Sequence, residues 1–174
     1  SIKCLRKLGI RIYLSKKICS VYGKGLNGFS YKNGITLNAG NSGTFARLVL
    51  GLLVKSPYYI KLVGDKSLSQ RDFERVILPL QNIGANFKVN SKKTLPLQII
   101  GSNFTNPILY IENKGSAQCK STVMLAALNS PGQTTIKARK SRDHTENFFK
   151  YLGIPIIVKK NKHYDKIKIT GQKI

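Results

Sequence analysis

Acidic residues are scarce in this 174-residue sequence: 7 aspartates and glutamates face 30 lysines and arginines, for a formal net charge of +23. Tryptophan is absent and methionine occurs once. The three cysteines, Cys4, Cys19 and Cys119, are too few and too far apart for a disulfide framework or a CxxC metal knuckle, which points to a reducing compartment and a cytoplasmic protein. No apolar run approaches the ~18 residues of a membrane-spanning helix, and nothing before Leu8 resembles a signal peptide. With 41% apolar and 21% charged residues, the chain is neither a disordered tail nor a membrane protein, and it is long enough to bury a core. Asp143, His144 and Glu146 lack metal-ligand spacing, and no nucleophile–base–acid triad is visible, so no metal and no other cofactor is expected.

The excess of positive charge invites an anion. Nucleic acid is one such partner, but lysines outnumber arginines 23 to 7 and are scattered, as at Lys16, Lys61, Lys93 and Lys168. Abundant Lys, Ile and Asn also mark an AT-rich genome. An acidic small substrate fits the charge equally well, and no nucleic-acid partner is expected.

What is present is a repeat. Asn41-Ser-Gly-Thr44 opens an apolar stretch that closes at Ser56-Pro57, and Gly115-Ser-Ala-Gln118 opens another that closes at Ser130-Pro131. A constant offset of 74 residues separates Ser42 from Ser116, Ser56 from Ser130 and Lys66 from Lys140. After a short deletion, Leu80-Gln-Asn-Ile-Gly84 matches Phe149-Lys-Tyr-Leu-Gly153, and two extended runs follow each, ending near Gly101 and Gly171. Leu5-Arg-Lys-Leu-Gly9 and the runs after it carry the tail of a third copy.

Each copy reads as βαβαββ. Thr44 to Val54 and Lys120 to Leu128 are apolar on nearly every face, which predicts buried helices with strands outside them. Strands are expected over Tyr58 to Val63, Gln133 to Ala138, Phe87 to Val89 and Leu97 to Ile100. Amphipathic second helices begin near Asp72 and Asp143, the latter with capping-box spacing to Glu146. Phe148, Phe149 and Tyr151 are expected on the inner face of that last helix. The chain is expected to be a fragment: residues 1–36 the tail of a first unit, 37–103 a second unit and 104–174 a third. The half-unit at the start leaves apolar surface unpartnered, which predicts weak self-association or marginal stability.

Gly23-Lys-Gly-Leu-Asn-Gly28 spells GxGxxG, but turn and strand residues follow it rather than a helix, so the match is read as chance. The two repeat openings are small and polar and run directly into buried helices. Free amides and the positive dipole end there suit an anion, and ordinary capping by Ser42 and Ser116 is the plainer reading. Gly64-Asp-Lys-Ser-Leu-Ser-Gln-Arg71 and Arg139-Lys-Ser-Arg142 place basic groups and hydroxyls before the second helix of each unit. Arg71 and Arg142, in symmetrical places, suit bidentate binding of phosphate or carboxylate, whereas Lys66, Lys137 and Lys140 read as solvated. His144 reads as structural.

Four ordered segments, Leu37-Asn-Ala-Gly-Asn41-Ser-Gly-Thr, Gly64-Asp-Lys-Ser-Leu-Ser-Gln-Arg71, Ser116-Ala-Gln-Cys-Lys-Ser121 and Ser141-Arg-Asp-His-Thr-Glu146, resemble those of the 5-enolpyruvylshikimate-3-phosphate synthases. The resemblance covers essentially the whole chain. It implies an α/β (α+β) fold, the inside-out α/β barrel domain of the enolpyruvyl transferase type, made of repeated βαβαββ units with buried helices. It further implies transfer of the enolpyruvyl group of phosphoenolpyruvate to the 5-hydroxyl of shikimate 3-phosphate, in a cleft between this domain and a second one. By position, Ser116, Ala117, Gln118, Ser141 and Arg142 would bind shikimate 3-phosphate, and Gly43, Arg71 and Gln118 would bind phosphoenolpyruvate. The family's acid–base groups belong to the other domain, so no catalytic residue is assigned here and the isolated chain is expected to be inactive.

Two positions depart from the family pattern, which usually has Ala at Ser42 and Pro at Asp72. Ser42 adds bulk beside the phosphoenolpyruvate pocket. The sister transferase acting on UDP-N-acetylglucosamine shares fold and donor, but Ser-Ala-Gln followed by Lys-Ser, with Arg-Asp-His-Thr-Glu, argues against it. A basic nucleic-acid-binding module would interleave aromatic with basic residues on one face.

Overall fold

The structure is a computed structural model that describes residues 1–171. In chain order it runs α1 (Ile2–Lys7), β1 (Arg11–Leu14), β2 (Cys19–Tyr22), β3 (Ile35–Asn38), α2 (Gly43–Leu52), β4 (Ile60–Val63), α3 (Glu74–Ile83), β5 (Asn86–Val89) and β6 (Leu97–Ile100). There follow β7 (Leu109–Glu112), α4 (Ala117–Ala127), β8 (Gln133–Arg139), α5 (His144–Tyr151), β9 (Ile156–Lys160) and β10 (Tyr164–Thr170). No helix among the described residues is long and apolar enough to cross a membrane.

The 74-residue repeat becomes a repeat of topology. One four-stranded sheet has the order β3-β4-β6-β5 and the other β7-β8-β10-β9. In each, the first pair is parallel, Ile35 opposite Ile60 and Leu109 opposite Thr135, because a buried helix crosses between the strands. The other pairs are antiparallel. The start of the chain adds α1 and an antiparallel hairpin of β1 and β2.

Strand alternation sets which face of each sheet is dry. In β10 the side chains of Asp165, Ile167 and Ile169 turn inward and those of Tyr164, Lys166 and Thr170 outward; in β8 Thr134, Ile136 and Ala138 turn inward. The inward faces close over α2 and α4, whose Ala46, Val49, Leu50, Val123, Met124 and Ala126 are buried. Helices inside and sheets outside make this an inside-out α/β fold. Each fully buried Leu, Val or Met side chain contributes about 1.5–3 kcal/mol of hydrophobic stabilisation.

Serine caps open both buried helices. The Ser42 hydroxyl accepts from the Phe45 amide at 3.2 Å, and the Ser116 hydroxyl accepts from the Cys119 amide at 3.2 Å. The two helices then run in register, equivalent positions meeting along their length: Gln118 reaches Thr44 at 2.8 Å, and a Cβ on Gly51 would stand 3.3 Å from Leu125 and 2.3 Å from the Thr122 carbonyl. Only glycine permits that approach.

Three expectations need correction. Asp143 does occupy the N-cap position of α5, but its side chain makes no capping bond; its carboxylate accepts instead from Lys160 at 3.2 Å. Glu146, expected to close the capping box, is buried against α4. Of the three aromatics placed on the inner face of α5, only Phe149 is inside, at 1% exposure, while Phe148 and Tyr151 are 56% and 86% exposed. The 100° step between neighbouring helix residues forbids Phe148 and Phe149 from sharing one narrow face. No helix follows Gly28, the next element being β3, so GxGxxG builds no nucleotide loop.

Candidate functional site

Parallel helices place their N-termini at one end of the fold, where unpaired amides and the positive dipole ends gather. There a cleft of ≈ 190 Å³ opens, lined by Thr44 and Leu48 of α2, by Ala117, Gln118 and Ser121 of α4, and by Arg142, His144 and Thr145 at the entry to α5. No carboxylate is among these lining residues.

Gln118 joins the two helices. Its Oε1 accepts from Arg47 Nη1 at 2.9 Å and its Nε2 donates to Thr44 Oγ1 at 2.8 Å. Across the cleft, Ser121 and Thr145 hydroxyls share a hydrogen bond of 2.7 Å. Arg142 is exposed, and its backbone is held from below: Lys120 Nζ donates to the Arg142 carbonyl at 3.0 Å and to Glu146 Oε1 at 2.5 Å. The Lys120 and Glu146 side chains are 1% and 2% exposed, so a fully buried ion pair fastens α5 and its entry loop to α4. The Ser141 hydroxyl, one residue before Arg142, is buried and has no hydrogen-bond partner.

A second basic cluster adjoins the first through Arg47. A Cβ on Gly43 would lie 2.9 Å from Arg71 Nη1 and 3.0 Å from Arg47 Nη1, so two guanidiniums converge on the first residue of α2. Arg47 is half-buried; Nη2 donates to the Asp72 carbonyl at 3.3 Å, and the guanidinium lies 5.1 Å over the Phe73 ring. Burial, and then the charges of Arg71 and Arg75, lower its pKa, against opposing contributions from Cys119 and Asp72. The loop that carries Arg71 is anchored by Asp65, whose carboxylate accepts from the Leu68 amide at 2.8 Å and from Asn41 Nδ2 at 2.6 Å. Those bonds hold its pKa below the usual carboxylate range.

The loop before α4 has its own anchor. Glu112, at the end of β7 and 2% exposed, accepts from the Ser116 amide at 2.8 Å and pairs with Arg75 of α3. Ser42, despite its place beside the second cluster, spends its hydroxyl on the helix cap, and Asp72 accepts from the Glu74 amide at 2.7 Å, a bond proline in its place lacks the side chain to form.

Of the residues singled out from the sequence, Ala117, Gln118 and Arg142 line one cleft, and Gly43 and Arg71 meet beside Arg47. Ser116 is turned to capping, and His144 lines the cleft. Arg47 and Glu112 carried no expectation, and Thr44, Lys120 and Thr145 stood only within longer segments, with no role of their own. A lone arginine in an otherwise apolar helix was the available signal for Arg47, and a lone lysine for Lys120. Among the described residues no three His, Cys, Asp or Glu side chains gather.

Two buried helices whose N-termini meet at a cleft with no carboxylate in its lining, with sheets packed outside them, make this a domain of the inside-out α/β type. The chain belongs to the EPSP synthase (3-phosphoshikimate 1-carboxyvinyltransferase) family, whose model matches residues 1–174. It is 42% identical over 159 residues to the 3-phosphoshikimate 1-carboxyvinyltransferase of Syntrophomonas wolfei and 37% identical over 157 residues to that of Bacillus subtilis. Those alignments take in 91% and 90% of this chain but 37% and 36% of the relatives' lengths. The EPSP synthase structure from Acinetobacter baumannii superposes with a TM-score of 0.88 at 32% identity, over 99% of this chain and 38% of that one.

Proposed function

We propose that this chain supplies the shikimate 3-phosphate-binding part of an enzyme that transfers the enolpyruvyl group of phosphoenolpyruvate to the 5-hydroxyl of shikimate 3-phosphate and releases phosphate. The observation that carries the reading is the convergence of the α4 N-terminus, Gln118 and Arg142 on one cleft with no carboxylate in its lining. In this reading Ser116, Ala117, Gln118, Ser141 and Arg142 hold shikimate 3-phosphate, the unpartnered Ser141 hydroxyl donating to its phosphate. Gly43, Arg71 and Gln118 hold phosphoenolpyruvate. Units 1–36, 37–103 and 104–174 make up most of one domain, and the second domain of the same cytoplasmic enzyme is the partner that closes the cleft.

Two anions held side by side gain proximity, and the basic wall offsets their mutual repulsion. Protonation of the phosphoenolpyruvate methylene creates positive charge at C2, the 5-hydroxyl attacks there, and the tetrahedral adduct eliminates phosphate. The acid–base groups for these steps come from the second domain, so the 174-residue chain alone binds without turning over.

An amide NMR titration of the chain with shikimate 3-phosphate tests this. Saturable shifts at Ser116, Gln118 and Arg142, lost in Arg142→Ala, are expected. Saturation by UDP-N-acetylglucosamine instead would transfer the reading to the sister reaction, and a steep salt-dependent response to oligonucleotide alone would replace it with nucleic-acid binding.

A further inference from the structure

We propose that Arg47 is a positioning residue that fixes the side-chain amide of Gln118 so that it meets the anionic ligand as a hydrogen-bond donor. The inference deepens the shikimate 3-phosphate reading of the cleft and rests on it for the identity of the ligand.

A glutamine amide has a donor end and an acceptor end, and flipping it exchanges them at little cost in shape. Toward an anion the two ends have opposite effects: N–H attracts and the carbonyl repels. The choice is settled here by a neighbour that has only donors. Arg47 Nη1 stands 2.9 Å from Gln118, so Oε1 must face it. The amide nitrogen is thereby turned to Thr44, 2.8 Å away, which takes one N–H and leaves the second for the cleft that Gln118 lines.

Arg47 cannot follow a flipped amide. Its other nitrogen is engaged by the Asp72 carbonyl at 3.3 Å, Nη1 also lies 3.5 Å from the Gly43 carbonyl, and its plane rests over Phe73 at 5.1 Å. These partners belong to the start of α2 and the entry to α3, so the guanidinium fork ties three segments at the helix end. Arg47 is not itself among the residues lining the cleft and acts through Gln118. A lysine keeps the charge, but its compact ammonium cannot span Gln118 and Asp72 as a planar fork does.

The test uses the ¹⁵N-labelled 174-residue chain, with the Gln118 side-chain amide assigned by its disappearance in Gln118→Leu. In the ligand-free protein, Arg47→Lys and Arg47→Met are expected to shift that NH₂ pair toward the position of a free glutamine and to broaden it. Shikimate 3-phosphate is expected to bind about tenfold more weakly to both, with lysine giving little rescue. Unmoved Gln118 signals, with affinity within twofold of wild type, would overturn the proposal. Should both variants fail to fold, exposed Thr44→Val reads the same amide: a Gln118 signal that does not move there overturns the clamp as well. If Gln118 responds to Arg47 while the wild-type chain ignores shikimate 3-phosphate, the orientation stands and the substrate reading falls.

Discussion

Removing the carboxylate of Glu146 tests the energetics of the site most directly. Lys120 and Glu146 are 1% and 2% exposed, and Lys120 Nζ has the Arg142 carbonyl as its other acceptor. Glu146→Gln keeps the shape and leaves a buried ammonium with only neutral partners. Breaking a buried pair from one side costs about 3–5 kcal/mol, because the remaining charge is stranded in a poor solvent. Against a total stability of about 5–15 kcal/mol that is a large fraction. With a urea dependence of about 2 kcal/mol per molar, the denaturation midpoint is expected to fall by about 1.5–2.5 M. The double variant Lys120→Met, Glu146→Leu removes both charges and is expected to recover most of the loss, since replacing a whole buried pair by apolar groups is often neutral. With Lys120→Met and Glu146→Leu as the single variants, the cycle is expected to show strong coupling. A midpoint for Glu146→Gln within about 0.3 M of wild type would refute the argument, showing that the ammonium finds water or another partner. Because the same Nζ holds the Arg142 backbone, faster amide exchange at Ser141–Asp143 should accompany the loss.

Three further outcomes follow from the geometry. Gly43→Ala sets a methyl group 2.9 and 3.0 Å from Arg71 and Arg47 nitrogens, which are the far ends of flexible side chains. The helix is expected to tolerate it, with a melting temperature within about 5 °C of wild type, while phosphoenolpyruvate binding weakens and the guanidinium NMR signals move; unchanged signals would contradict the packing. Glu112→Gln removes the charge that Ser116 and Arg75 share and is expected to cost about 1–3 kcal/mol, with deprotection of the Ser116 amide in hydrogen exchange as the local signature. The Asp65 carboxyl is held below its ordinary value by the Leu68 amide and Asn41, so its anchoring of the Arg71 loop is fully present above about pH 4 and is lost as the pH falls through the lowered folded value. A ¹³C-detected titration placing Asp65 at or above the usual aspartate range would contradict those bonds.

Residues near one another in sequence announced much of this molecule. The constant offset between Ser42 and Ser116 declared the repeat, and apolar stretches without a polar face declared helices that must lie inside. Serine before each stretch identified the caps, and Arg-Asp-His-Thr-Glu with Ser-Ala-Gln pointed to the family. Local patterns determine these features because caps, periodicity and burial depend on neighbours within a turn or two of helix.

Partnership across the chain was decided by the tertiary structure alone. Asp143 and Glu146 have the spacing of a helix cap, yet Lys160 captures one and Lys120 the other from 17 and 26 residues away. Sequence spacing cannot weigh a local backbone bond against a distant ammonium, and a buried lysine needs its counter-charge more than a helix end needs a cap. Arg47 and Gln118 are 71 residues apart and become one unit only because α2 and α4 pack in register. The sequence by itself determined the repeat, the buried helices and their serine caps; the packing of two parallel helices decided which side chains touch, because orientation is a property of pairs in space.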